Sequence, residues 1–453
     1  VAALVKKKYP NKRLGLLAYN LLQALPENTI KLDPMLVPYL TVDSAQLFDK
    51  KFAAGFQPQL DKWAALSQRM GVYEYAYGGG FLIPRIYNKY LIANVRNKYG
   101  AAADGFYAEA YPNWGLDGPK YWLLARELWD TKQDTKVLLD RYYSDMFGDA
   151  ADEMRQYFDY LEEVWETQDI PSDRSNYRWW RDPMQLKIFT PEKCDHAWAL
   201  LQTATAKTTD KAALARIKYF QDSFAVTRAL SYRATATDVA NASLPQKGEA
   251  LGEWMPKLLQ GIQLWQQAPD WDATIAAAAK LEPPAFNSVS WDILSSFEKA
   301  PISALQNAAQ LLNQQAAGDL QKAGKPLTSD NIKSSVDATL ATFATQTPGA
   351  VKQLQEIADP GTIVLPTLTK APLLDGTIQP GEWPKPIFGG HFYKFNTLEK
   401  QAESTIVYAG WQGETLYLAL DMQQNPATVG GAFTGVDKGG WRKPEMFGDD
   451  AIV

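Results

Sequence analysis

Apolar and polar positions change their rhythm twice along the chain. Up to about Asp130, short apolar runs alternate with helical stretches. Arg13-Leu14-Gly15-Leu16-Leu17-Ala18-Tyr19 reads as a buried strand, and residues 36–42 as a weaker one, because Pro38 lacks a ladder donor. Residues 71–77 form a third candidate strand, ended by Gly78-Gly79-Gly80, and residues 105–110 a fourth. Residues 57–70 and 91–99 read as helices between them. Strands alternating with helices predict parallel βαβ units. A closed barrel of eight such units needs about 250 residues, so this stretch predicts half of one.

From Gly118 to Ala358 the spacing is helical. Phe147, Ala150, Ala151, Met154, Tyr157, Phe158, Leu161, Val164 and Trp165 recur at intervals of three and four, one apolar stripe on a helix. Further helices are predicted over residues 192–206, 211–239, 249–267, 304–323 and 331–345, broken by Pro and Gly as at Glu282-Pro283-Pro284. After Asp359-Pro360-Gly361 the chain turns rich in Gly, Pro, Thr and aromatics. Residues 405–410 and 415–420 flank Trp411-Gln412-Gly413-Glu414, a hairpin pattern, and a small antiparallel β-sandwich is the natural reading. The predicted fold class is multidomain α/β + α + β: barrel strands over 1–130, a helical domain over 131–358 and a β-sandwich over 362–453.

Composition narrows the function. At roughly 100–200 residues per domain, 453 residues suggest two to four domains. Lys plus Arg is 46 against 51 for Asp plus Glu, a net charge of −5, which argues against a nucleic-acid partner. No apolar run approaches the ~20 residues of a membrane span. The single cysteine, Cys194, cannot make an intrachain disulfide, so cysteine usage leaves the redox compartment unread. The chain starts at Val1, without a leader, and stops at Asp449-Asp450-Ala451-Ile452-Val453, which reads as the start of a strand; a piece of a longer protein is the expectation.

Fifteen Trp, 22 Tyr and 18 Phe supply many flat apolar faces, which suit sugar rings as well as ordinary cores. Glu109 falls at the C-terminal end of a predicted barrel strand, where barrel enzymes place catalytic groups. Alternation puts Gly105, Tyr107 and Glu109 on one face. The rim loop that follows, Tyr111-Pro112-Asn113-Trp114-Gly115-Leu116-Asp117-Gly118, offers Asn113, Trp114 and Asp117 as sugar contacts. A carboxylate in such surroundings is what glycoside hydrolysis uses; the alternative is a structural Glu bonded to loop amides. Tyr75 and Tyr77 are read as site-facing, with barrel packing as the alternative, and Glu74, on the opposite face, as structural. Trp383, Trp411 and Trp441 are candidate sugar platforms, with a core role the better reading for any one of them; Trp441, in Gly439-Gly440-Trp441-Arg442, is the one most expected to be exposed. His196 and His391 show no ligand spacing, the Cys194–His196 pair does not share a helix face, and the triple glycine lacks a following Gly-Lys-Ser/Thr. Neither a metal nor a cofactor is expected. The expected partner is a glycan or polysaccharide, with self-assembly as a further option.

Three motifs carry a family resemblance: Asp104-Gly105-Phe106-Tyr107-Ala108-Glu109-Ala110, Tyr121-Trp122-Leu123-Leu124-Ala125-Arg126-Glu127-Leu128-Trp129-Asp130, and Tyr142-Tyr143-Ser144-Asp145-Met146-Phe147-Gly148-Asp149-Ala150-Ala151. Over about residues 13–165 the chain resembles the bacterial domain-of-unknown-function 4838 family that includes glycoside hydrolase family 163. That resemblance implies the C-terminal half of a (β/α)8 TIM-type barrel, an endo-β-N-acetylglucosaminidase-like activity, Glu109 as the acidic residue ending the last barrel strand, and an extracellular, periplasmic or cell-surface location. The second catalytic carboxylate would come from an earlier strand outside this chain. Leu374-Asp375-Gly376-Thr377-Ile378, Glu382-Trp383, Leu416-Tyr417-Leu418-Ala419 and Asp449-Asp450-Ala451-Ile452-Val453 are similar to a family 9-type carbohydrate-binding module. By that likeness Glu382-Trp383 is structural. A non-catalytic carbohydrate-binding or assembly protein on the same scaffold is the competing expectation.

Overall fold

The structure, a computed structural model, describes residues 2–24, 31–96, 105–245, 249–297, 301–345, 347–359, 365–373, 378–379, 381–384, 386–390 and 404–422. A short helix, α1 (Ala2–Lys8), precedes four strands: β1 (Leu14–Ala18), β2 (Leu36–Val42), β3 (Gly71–Glu74) and β4 (Gly105–Ala108). They pair in that order as one parallel sheet. Pro38 costs this sheet no hydrogen bond. The Met35 carbonyl accepts from Leu14 N–H and the Val42 carbonyl from Tyr75 N–H, so odd positions of β2 address β1 and even positions β3. Pro38, an even position, precedes the first β2–β3 pair at Tyr39–Gly71. β3 ends three residues before the predicted strand does, because the Tyr75 and Tyr77 carbonyls turn to accept from Arg85 Nη1 at 3.2 and 2.8 Å.

The period of two divides the sheet's faces. Even positions Leu16, Ala18 and Leu40 are covered by Phe56, Leu60, Trp63 and Ala64 of α2 (Lys50–Leu66). This helix starts seven residues earlier than periodicity predicts, because Asp49 caps it by accepting from Lys51 and Phe52 N–H. Phe106 and Ala108 pack into the same core as Leu91 and Val95 of α3 (Asn88–Arg96). Odd positions face the other way. Across that face Tyr39 lies flat over β3 and β4: a Cβ at Gly71 would come within 2.5 Å of its ring, and one at Gly105 within 2.2 Å of its hydroxyl. Gly71→Ala or Gly105→Ala is therefore expected to cost about 1–3 kcal/mol through a displaced Tyr39. Urea unfolding would check this, and an unchanged midpoint would mean that Tyr39 moves freely.

After β4 come the one-turn α4 (Trp114–Asp117), α5 (Lys120–Trp129), α6 (Thr135–Phe147), α7 (Ala151–Glu166), the one-turn α8 (Ser175–Arg178), α9 (Pro191–Lys207) and the 32-residue α10 (Lys211–Ala242). Then follow α11 (Leu251–Gln267), α12 (Trp271–Ala278) and α13 (Ser288–Phe297). From Ala151 onward the stripe read from the sequence lies on α7, whose Met154, Tyr157, Phe158, Leu161, Val164 and Trp165 are all buried, whereas Phe147 closes α6 and Ala150 ends a 3-10 turn between the two helices. One core runs from Ala45 through α7 and α10 to Phe297, and Trp165 Nε1 donates to the Ala45 carbonyl at 2.9 Å.

The chain divides into two compact units, Val1–Ala304 and Leu305–Val453. After α14 (Ile302–Lys322), the second contains α15 (Ser329–Ala341), α16 (Pro348–Ala358) and an antiparallel sheet of β5 (Phe388–Gly390), β6 (Thr405–Gln412) and β7 (Thr415–Met422). The predicted hairpin is tighter than its sequence suggests. Gln412 pairs with Thr415 across a two-residue turn in which Gly413 takes φ +61°. Among the described residues of this unit, the predicted sandwich is represented by this one sheet. None of the described helices is long and apolar enough to cross a membrane.

Candidate functional site

The odd face of the parallel sheet continues past its C-terminal end. Thr41, Tyr73 and Tyr107 are paired across β2, β3 and β4. Tyr75 N–H then donates to the Val42 carbonyl and Glu109 N–H to the Glu74 carbonyl, which brings Asp43, Tyr75 and Glu109 level with one another. They line a cleft of about 1310 Å³ together with Tyr19, Tyr73, Tyr77 and Tyr111. The far wall is supplied by Arg174, Arg178, Trp179 and Trp180, from the segment around α8. Both tryptophans are about half exposed, Trp180 meeting Tyr77 edge-on at 6.5 Å. Mixed aromatic and polar lining of this kind suits an amphipathic ligand.

The two cleft carboxylates have different surroundings. Glu109 Oε1 accepts from the Tyr73 hydroxyl at 2.6 Å. Burial and the Glu109 carboxylate push the Tyr73 phenol far above its ordinary range, so it stays a donor. Burial, helped by Asp43, raises Tyr77 to about 12. Asp43 is gripped by Arg85 Nη2 at 2.6 and 2.7 Å and also accepts from Ala45 N–H and Gln46 Nε2. Arg85 is buried among the rings of Tyr77, Phe81, Tyr87 and Trp165. Asp43 thus anchors the cleft floor, whereas Glu109 has one oxygen without a partner among the described residues.

Glu74 points away from the cleft, as alternation requires. It is fully buried and accepts from Ser44 N–H, Ser44 Oγ and Asn94 Nδ2 at 2.9, 2.6 and 2.9 Å. Burial pushes it up to about 7 from an ordinary 4.5, against these hydrogen bonds. A carboxyl raised in the folded state binds its proton more tightly when folded, so its contribution favours folding below about pH 4.5 and is lost as pH rises to about 7. Over that window the parent should lose roughly 3 kcal/mol relative to Glu74→Gln in urea unfolding. Parallel pH curves for the two proteins would assign the slope elsewhere.

The structure brings Glu109, Tyr75 and Tyr77 together at the cleft and places the other candidates elsewhere. Tyr107 is half exposed and lies against Tyr73, with ring centres 4.6 Å apart, outside the cleft lining. Trp114 is also on the surface outside it, packed on Tyr121. Asn113 and Asp117, read as sugar contacts, are each only 1% exposed. Asn113 Nδ2 donates to the Gly78 and Phe81 carbonyls, and its Oδ1 accepts from Asn287 N–H. Asp117 accepts from Asn113 N–H and from Lys120 Nζ at 2.7 and 2.5 Å. Both therefore hold the rim loop in shape beneath the surface. Trp441 and His391 lie outside the described residues, and Trp383 is buried. Sequence reasoning missed Asp43, Tyr19 and the 174–181 segment. The one signal for the last was the dipeptide Trp179-Trp180 between two arginines.

Backbone strain marks the same place. Among the described residues, four non-glycines have positive φ: Asn20, Tyr111, Arg174 and Arg181. Three line the cleft, and the fourth follows Trp180. Such strain gathers at functional sites because the surrounding structure must hold it there. No group of three or more His, Cys, Asp or Glu among the described residues is arranged to hold a metal ion.

No curated protein matches the chain. A solved structure described as a "GH138 enzyme targeting pectin rhamnogalacturonan II" aligns with a TM-score of 0.31 at 11% identity, over 83% of this chain and 59% of that one. The chain thus spans less than two thirds of that protein, and a likeness of this degree fixes neither fold nor activity. Residues 1–159, which hold the whole parallel sheet and Glu109, match the family model "Domain of unknown function (DUF4838)".

Proposed function

We propose that the cleft binds a glycan and that the protein is carbohydrate-active, with Glu109 as the acid–base or nucleophilic carboxylate of a glycoside hydrolase. The observation that carries this reading is Glu109 at the C-terminal end of β4, hydrogen-bonded to Tyr73 and facing an aromatic cleft with Tyr75, Tyr77, Trp179 and Trp180. Sequential parallel strands whose C-terminal ends form the cleft fit an arc of a (β/α)8 barrel. On this reading the hydrolytic partner of Glu109 comes from strands beyond this chain, because Asp43 is committed to Arg85. An endo-acting β-N-acetylglucosaminidase-like reaction at a cell surface is the finer form of the proposal.

A second reading follows from that same commitment of Asp43. With one uncommitted carboxylate in its cleft, the chain can bind a sugar without cleaving it, since hydrolysis uses two. Screening the full-length protein on a glycan array, with mass spectrometry of the products, separates the two. Shortened glycans establish hydrolysis, intact bound glycans a binding role, and the absence of both removes the carbohydrate reading. Trp180→Ala should weaken binding about tenfold, because an aromatic platform contributes roughly 1 kcal/mol or more; unchanged affinity would exclude Trp180 as a sugar platform.

A further inference from the structure

The cleft's charges are unevenly placed. Its cations, Lys51, Arg174 and Arg178, stand against Asp43 and Glu109, and Asp43 is already neutralised by the buried Arg85. The chain as a whole is acidic, so this wall runs against the average. Arg174 is also built into position. Its φ is +56°, and its Nε donates at 2.6 Å to Asp49. Asp49 in turn accepts from the hydroxyl of fully buried Tyr177 at 2.6 Å and caps α2. Burial alone would raise the Asp49 carboxyl, but the hydrogen bonds from Tyr177 and Arg174 outweigh it and hold the group at about 2. Asp49 therefore stays a carboxylate that fixes Arg174 by its Nε at the cleft wall. Beside it, Arg178 lies over the Trp179 ring at 4.9 Å, and Arg181 over Trp180 at 4.4 Å.

We infer that the cleft takes an anionic glycan, with a sugar carboxylate or sulfate on the Arg174–Arg178 wall and a ring face on the adjoining tryptophans. Guanidinium groups match the planar, two-oxygen geometry of such substituents, and the aromatic faces match the apolar faces of the sugar. This inference rests on the glycan reading above and narrows it to a substrate class. Arginines stay charged at all working pH values, so binding should persist from acid to neutral pH and weaken with added salt.

The test is a glycan array of neutral, uronate-bearing and sulfated oligosaccharides, probed with the full chain and with Arg178→Ala and Arg174→Lys variants. Leading hits are then titrated by calorimetry beside their methyl esters or desulfated forms. Acidic glycans are expected to dominate, with affinity falling about tenfold or more when the anionic group is masked or Arg178 is removed. Loss on esterification assigns the anion to a carboxylate, and loss on desulfation to a sulfate; either supports the inference. Arg178 is exposed, so its variant tests the wall even if altering Arg174 disturbs folding. Binding confined to neutral glycans, or acidic binding indifferent to Arg178, overturns the anionic assignment and leaves the glycan reading standing. Absence of binding to every glycan overturns both.

Discussion

Glu109→Gln is expected to lower glycan hydrolysis roughly a thousandfold while leaving the unfolding transition in place. The side chain lies past the end of β4 and accepts from the Tyr73 hydroxyl, a bond that an amide oxygen can still accept. No core packing is lost, and the change removes a proton donor or nucleophile rather than volume. The glycan should still bind, so the variant is expected to hold intact substrate that the parent cleaves. Product analysis by mass spectrometry beside a thermal melt measures both halves of this outcome. Turnover within a few-fold of the parent would take Glu109 out of the mechanism and favour the binding-only reading. A large drop in melting temperature would instead make it the structural glutamate that bonds its own rim.

Arg85→Met is expected to destabilise the protein by about 3–5 kcal/mol, because it strands a carboxylate that the fold has buried. Asp43 is 7% exposed and receives two bonds from Arg85 Nη2, while Nη1 gathers in the Tyr75 and Tyr77 carbonyls. One guanidinium thus ends β3, sets the course of the chain beneath the cleft and neutralises the cleft floor. The double variant Asp43→Asn with Arg85→Met should recover part of the loss, since no unpaired charge then remains. Urea unfolding of the single and double variants measures the coupling. A loss under about 1 kcal/mol for Arg85→Met would show that water reaches Asp43 and that the pair is not an anchor.

Much of the first 130 residues was legible in the sequence, because the information there is local. Continuous apolar runs ending in Gly or aromatic residues marked four strands, and their alternation with helices implied parallel pairing. The period of two separated Glu74 from Tyr73, Tyr75 and Tyr77, and the structure keeps that division: Glu74 is sealed against Ser44 and Asn94, while the tyrosines line the cleft. The same rule put Glu109 on the odd face at the strand's end. It failed for Tyr107, which shares that face but lies outside the cleft lining. Strand alternation assigns a face; it does not say how far along that face a cavity extends.

Asn113 and Asp117 failed for a different reason. A loop rich in amides and carboxylates looks like a binding rim, but those groups also satisfy the backbone of the loop itself. Here Asn113 Oδ1 accepts from Asn287 N–H, and the Ser290 hydroxyl oxygen accepts from Asn113 Nδ2 and from Gly80 N–H in the same buried cluster, across more than 170 positions of sequence. The wall of Trp179, Trp180 and Arg174 was likewise missed, because a segment in the helical half reaches the cleft only through tertiary packing. Local hydrophobic rhythm determined this protein's strands, its long helices and the two faces of its sheet, since each depends on neighbours a few residues away. Which polar groups are spent inside the fold, and which remain to meet a ligand, was decided only when distant segments converged, because burial and hydrogen-bond partners belong to the packed chain and not to the order of its residues.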